Sequence, residues 1–213
     1  MSTSPADRLA SALRVADASQ RLQAAMTAGT HPREEYVAVL VERCAAESDF
    51  SVREMLTWAL TRHPAALTVP LVIAELASPL PQARSQALHT LSKIGEPGSA
   101  GAITPQLLHD EEDEVARTAW RAAAVLTGPE GRPALADELA RELGRGDLEL
   151  WRALCRAVVA LGSAAEAALT RAAADPDPVV RRHARAARFL VANPEESFET
   201  ALLEADRAAT EEG

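Results

Sequence analysis

Small and apolar residues recur along this chain with a period near 3.6 and almost never alternate, so the sequence predicts helices and no sheet. Ala, Leu, Arg and Glu dominate and favour helix, while Val and Ile are sparse. Five segments align on one template: VREMLTWALTRH from Val52, ARSQALHTLSKI from Ala83, VARTAWRAAAVL from Val115, LWRALCRAVVAL from Leu150 and VRRHARAARFLV from Val180. Their starts lie 31, 32, 35 and 30 residues apart. Small or apolar residues recur at offsets 0, 4, 7, 8 and 11, which is one face of a helix. Offset 7 is always small (Ala59, Thr90, Ala122, Ala157, Ala187), as a close approach of two helices requires.

Shorter apolar-periodic stretches alternate with these segments: EEYVAVLVERC from Glu34, VPLVIAELA from Val69, ITPQLLHD from Ile103, RPALADELARELG from Arg132 and EAALTRAAA from Glu166. Pro70, Pro105 and Pro133 fall near the starts of three of them, where a missing N–H is no loss. The turns into the template helices (48–51, 78–81, 110–113, 146–149, 175–178) carry Asp, Glu, Ser or Pro, which suits caps at a positive dipole end. Gly95, Gly128 and Gly162 follow three template helices, as helix termini favour. The predicted unit is therefore helix, turn, helix, turn, repeated five times.

The pattern D-x-x-V-R-x-x-A-x-x-A-L-x-x-L-G, closest over Asp175–Val191 and Ala83–Gly95, resembles HEAT repeats, in particular the short bacterial HEAT-like repeats first noted in phycobilin lyases. The resemblance spans roughly residues 32–192 and implies an all-α, right-handed α-solenoid in one domain over 1–213. Residues 5–28 and 195–209 are expected to be capping helices, the acidic last one giving a terminal repeat its polar outer face. The family also implies that the template helices line the concave surface, and that Arg53, Arg84 and Arg181 at offset 1 pair with turn acids of a neighbouring repeat.

On that register, offsets 2, 5, 6 and 9 point into the groove. They hold Trp58, His89, Arg117, Trp120, Arg121, Arg152, Arg156, Arg182 and Arg185, the candidate partner-binding residues. Charge sharpens this picture. The whole chain carries −9, yet the five template segments hold twelve basic residues and one acid, Glu54, for +11, against −20 elsewhere. Arginine suits such a stripe, since its planar fork grips carboxylate or phosphate with two bonds and stacks on rings.

Other chemistry is thinly represented. With only two cysteines, Cys44 and Cys155, neither a disulfide framework nor a four-cysteine zinc site can form. Cys155 sits at a groove offset between Arg152 and Arg156, which would lower its pKa. Histidines at 31, 63, 89, 109 and 183 lack metal-ligand spacing, and the run 109–114 lacks the glycine of a calcium loop. No phosphate-binding, nucleophile-elbow or dinucleotide motif occurs, so the sequence predicts no catalytic residue, metal or cofactor. A resemblance to alkylpurine DNA glycosylases is architectural: Trp and Arg have counterparts, the aspartate has none in the template segments. No basic leader or long uncharged apolar run is present, so a cytoplasmic protein without a membrane partner is expected. The leading expectation is a non-catalytic scaffold or adaptor holding an acidic segment of a protein partner in its groove; the alternative is nucleic-acid binding by the same stripe.

Overall fold

Every stretch with the 3.6 period folds as helix. The computed structural model describes residues 4–211, and among the described residues there are thirteen α-helices, a few 3-10 turns and no strand. The chain divides into two compact units, residues 1–103 and 104–213. The first holds α1 (Pro5–Ala12), α2 (Ala18–Thr30), α3 (Val37–Ala46), α4 (Phe50–Thr61), α5 (Ala65–Glu75) and α6 (Pro81–Ile94). The second holds α7 (Pro105–Leu108), α8 (Asp113–Leu126), α9 (Arg132–Ala140), α10 (Leu148–Leu161), α11 (Glu166–Ala172), α12 (Pro178–Ala192) and α13 (Phe198–Glu211). The five template helices are α4, α6, α8, α10 and α12. Each packs on the shorter helix before it, and within a unit each lies beside the next template helix.

Burial along the template helices follows the apolar face and extends beyond it. Offsets 4 and 7 are buried in all five helices. Offset 5, expected in the groove, is buried in four of them as Thr57, Leu88, Trp120 and Cys155. A helix with a partner beneath and another alongside loses its flank as well as its inner face, so the open stripe narrows to offsets 2, 6, 9 and 10. The small offset-7 residues do sit where helices approach closely, and Gly29 of α2 shows how closely. A Cβ there would lie 2.4 Å from the Trp58 ring and 2.8 Å from Cα of Ala59.

The N-terminal region is two helices rather than one cap. Asp17 breaks the run and caps α2 by accepting from the Ser19 N–H at 2.9 Å. Helix α2 then lies against α4 just as α4 lies against α6, so it plays the part of a further second helix. Its Arg21 donates to the carbonyls of Val15 and Ala16 at 2.9 and 2.7 Å. Arg53 does the same to Glu47 and Ser48 (2.9 Å each), Arg181 to Asp175 and Pro176 (2.7 Å each), and Arg84 to Ser78 at 3.0 Å. The offset-1 arginines thus hook back onto the turn of their own repeat, five and six residues earlier. The turn leaves backbone carbonyls without helical partners, and a guanidinium satisfies two at once, a role beyond the pairing with turn acids that the family implied. Where α8 has Ala116 at this offset, Arg145 from the following turn reaches the Asp110 and Glu111 carbonyls at 2.6 and 3.3 Å instead.

Caps agree in part with the turn composition. Asp49, Asp147 and Asp177 accept from first-turn N–H groups of α4, α10 and α12, whereas Leu80 and Glu112 make no side-chain cap for α6 and α8. Gly95 and Gly162 take positive φ (72° and 62°) after α6 and α10; Gly128 does not, because Thr127 already caps α8. Pro70 lies inside α5, which starts five residues earlier than its proline suggested. The apolar stretch 148–172 is long enough to cross a membrane by length and hydropathy alone, but Gly162 divides it into α10 and α11, which pack in the second unit.

The polar core of the first unit is centred on Glu47, fully buried at the end of α3. Its carboxylate accepts from Arg21 at 2.8 and 2.8 Å, from Arg43 at 3.0 and 2.6 Å, and from the Asp49 N–H at 2.9 Å. Burial opposes its ionisation, but these donors outweigh burial and hold the carboxyl down at about 2.

Candidate functional site

Helices α8 and α10 lie side by side in the second unit, and their open stripes leave a cleft of about 310 Å³ between them. Arg117 and Arg121 line one wall and Arg152 and Arg156 the other, each pair one helical turn apart. The floor is small and apolar: Ala124, Ala153, Ala157 and Ala160, with Val125 at the rim 57% exposed. Four of the nine candidate residues therefore converge on one site.

The arginines of the cleft differ in how far they are already engaged. Helices α8 and α10 start earlier than the template segments, so Glu114 and Glu149 occupy their first turns, where the helix dipole favours an anion. Glu114 pairs with Arg117, and Glu149 with Arg152 at 2.7 Å, each three residues on. Arg152 also meets Glu199 of α13 and lies 5.4 Å from the Phe198 ring centroid. Arg121 and Arg156 are exposed at the next turn, and no carboxylate lies within ion-pairing distance of Arg156 among the described residues.

Arg182 and Arg185 continue the stripe on α12, both half-buried. Arg182 grips Asp206 of α13 through two parallel bonds, Nε at 2.6 Å and Nη2 at 2.9 Å. That fork raises the Arg182 pKa and holds the Asp206 carboxyl below its ordinary range. Glu199 is likewise held low, first by its own backbone N–H and then by the Arg152 charge and hydrogen bond.

Two of the aromatic and histidine candidates lie in the first unit. Trp58 is 39% exposed on α4, its ring against the Gly29 backbone. His89 on α6 is mostly buried, with Nε2 2.9 Å from the Glu54 carboxylate. Trp120 is a correction. It is 0% exposed, and its indole N–H donates to the Leu108 carbonyl at 2.8 Å. Helix α7 is a single turn, and the indole is tied to its last residue. Cys155 is also corrected: burial pushes its thiol up to about 12, as it does that of Cys44, so neither is a reactive thiolate.

A second charged cluster went unread in the sequence. His109, in the turn after α7, has Nδ1 2.6 Å from Glu142 and Nε2 2.9 Å from Glu138. Burial there disfavours charge, but the two carboxylates outweigh it and raise the His109 pKa. With an acceptor at each ring nitrogen, the imidazolium donates both bonds. Arg145 closes the cluster, 2.7 Å from Glu142 and 2.8 Å from Asp113. Among the described residues, no group of three His, Cys, Asp or Glu is arranged to hold a metal ion. The chemistry that the α8–α10 cleft offers is anion recognition: four guanidinium groups over an alanine floor, with its two carboxylates in ion pairs.

No family model matches the chain, and no curated protein matches it. Solved structures do. An engineered protein from the Northeast Structural Genomics Consortium aligns at a TM-score of 0.50 and 16% identity, over 89% of this chain and 99% of its own. The complex of CpcE and CpcF of phycocyanin lyase from Nostoc sp. PCC7120 aligns at 0.49 and 17%, over 96% and 88%. A designed armadillo repeat protein in complex with the peptide (KR)4 aligns at 0.48 and 16%, over 95% and 99%. At such identities the likeness bears on fold alone. The chain's own helix pairs and their recurrent register show an all-α protein built of repeated helix pairs.

Proposed function

We propose that the protein is a non-catalytic interaction module, a cytoplasmic scaffold or adaptor, that holds an acidic segment of a protein partner in the α8–α10 cleft. The observation that carries this reading is the convergence of Arg117, Arg121, Arg152 and Arg156 on a small-residue floor in a chain whose net charge is −9. Such a patch attracts carboxylates, fixes their register through forked bonds, and repels basic partners. Nucleic-acid binding draws less support from the geometry. Trp120 is withdrawn into the core and offers no ring for base stacking, and Glu114 and Glu149 would face phosphates.

The test compares native capture from the cognate lysate by the full chain and by its Arg121→Glu/Arg156→Glu variant, with and without nuclease. A protein lost from the variant and indifferent to nuclease supports the reading. Material removed by nuclease replaces it with the nucleic-acid alternative. Identical capture by both proteins would make the arginines a solvated helix face.

A further inference from the structure

The protein contains one acidic helix already seated on its arginine stripe. Helix α13 packs on α12 through Phe198, Ala201, Leu202 and Ala205, an i, i+3, i+4, i+7 face that is buried throughout. The face it covers is the one left open elsewhere. Ala186, at offset 6 of α12, is 0% exposed, and Leu190, at offset 10, is buried too. Their counterparts Arg121 and Val125 on α8, and Arg156 and Ala160 on α10, are all exposed.

The spacing of its acids explains the seat. Glu199 and Asp206 are seven residues apart, which is two turns or about 10.5 Å along a helix. Arg152 and Arg182 occupy the same offset on neighbouring helices, and packed helices lie roughly 8–10 Å apart. Carboxylates at i and i+7 therefore reach both arginines at once, and the small Ala186 beneath lets the helix approach closely.

No helix among the described residues covers the neighbouring lane between α8 and α10, whose arginine pair lies one turn further along, at the offset where α12 has Ala186. Arg121 and Arg156 share an offset on adjacent helices, the floor is alanine, and Val125 offers an exposed apolar contact. Resting on the cleft-binding function proposed above, we infer that the partner element is an acidic amphipathic helix with carboxylates two turns apart, seated across α8 and α10 as α13 is seated across α10 and α12. An extended acidic peptide would satisfy the charges but would leave the alanine floor and Val125 without a complementary apolar face.

The probe is a labelled synthetic peptide with the sequence of residues 197–211, matched by one carrying prolines in place of Ala201 and Ala205, which keeps the charge and breaks the helix. Both are titrated against the full chain and against its Arg121→Glu/Arg156→Glu and Arg182→Glu variants, reading anisotropy and peptide helicity. Circular dichroism and melting confirm that each variant is folded. The inference expects the intact peptide to become helical on binding, the proline peptide to bind at least tenfold more weakly, and the Arg121→Glu/Arg156→Glu pair to cost tenfold or more. Equal binding of both peptides, still abolished by that pair, overturns the helix and leaves the acidic-segment reading standing. Binding sensitive only to Arg182→Glu marks exchange with α13 itself and overturns the inference. So does the absence of binding by either peptide, in which case the capture experiment alone decides the function.

Discussion

Acidification should reveal Glu47 as a main support of the first unit. In the folded protein its carboxyl is held at about 2 against an ordinary 4.5. A carboxyl depressed on folding stabilises the protein above its unfolded pKa and ceases to do so as pH falls through the folded one. At about 1.4 kcal/mol per pKa unit, the full difference is worth about 3 kcal/mol, of which about 2 kcal/mol is gone by pH 3 and nearly all by pH 2. Replacing Glu47 with Gln removes this titration. It also leaves Arg21 and Arg43 facing a neutral amide, at a cost of about 3–5 kcal/mol at pH 7. Urea unfolding between pH 7 and pH 2, monitored by helicity and by tryptophan fluorescence, should show wild type losing about 3 kcal/mol more than Glu47→Gln over that range. Every other carboxylate is common to the two proteins and cancels in the difference. Parallel pH profiles would refute the reasoning and mean that the five hydrogen bonds to Glu47 do not outweigh its burial.

Two histidines should titrate in opposite directions. His183 is pushed down to about 4 by burial. It accepts from the Gly144 N–H at 3.0 Å, lies 3.2 Å from the Trp151 carbonyl, and stacks on the Trp151 ring at 4.4 Å, so NMR at pH 5.5 should find it neutral. Its stabilising effect is complete above pH 6.5 and lost as pH falls toward 4. His109, with its raised pKa, stabilises below its ordinary 6.5, and that contribution disappears as pH rises through the folded value; His109→Gln should flatten the alkaline side of the stability profile. Gly29→Ala should cost about 1–3 kcal/mol by forcing α2 off α4, and adding Trp58→Ala should recover only part, because the 2.8 Å approach to Ala59 is to backbone. Trp120→Ala should cost about 3–5 kcal/mol in melting experiments, whereas Arg121→Glu/Arg156→Glu, on the open face, should stay within about 1 kcal/mol of wild type.

The helices were legible because their signal is local. Val52, Ala83, Val115, Leu150 and Val180 start recurring 3.6-period segments, and each segment lies in a helix of the fold. The α1–α2 pair was less legible: α2 has Gln20 where the signature has Val, although Asp17, Arg21 and Ala24 keep the rest of D-x-x-V-R-x-x-A. The salt bridges within the cleft could have been read from the spacing of Glu114 and Arg117, and of Glu149 and Arg152. Both glutamates lie one residue before the repeated segment, in the first turn of the helix. Trp120 and Cys155 illustrate a different limit. They sit on the flank of a helix, and a flank is exposed or buried according to whether another helix lies beside it, which no local pattern records.

By itself, then, the sequence determined the helices, their pairing into repeats and the concentration of arginine on one set of them, because periodicity, turn residues and charge all act within a few residues of one another. The tertiary structure decided which arginines stay exposed. Glu199 and Asp206 reach Arg152 and Arg182 from 47 and 24 residues away, and Trp120 sinks beneath its helix to meet Leu108. Each of these outcomes depends on which surface a distant segment comes to cover, and that is settled only when apolar faces such as that of α13 find the helix that buries them.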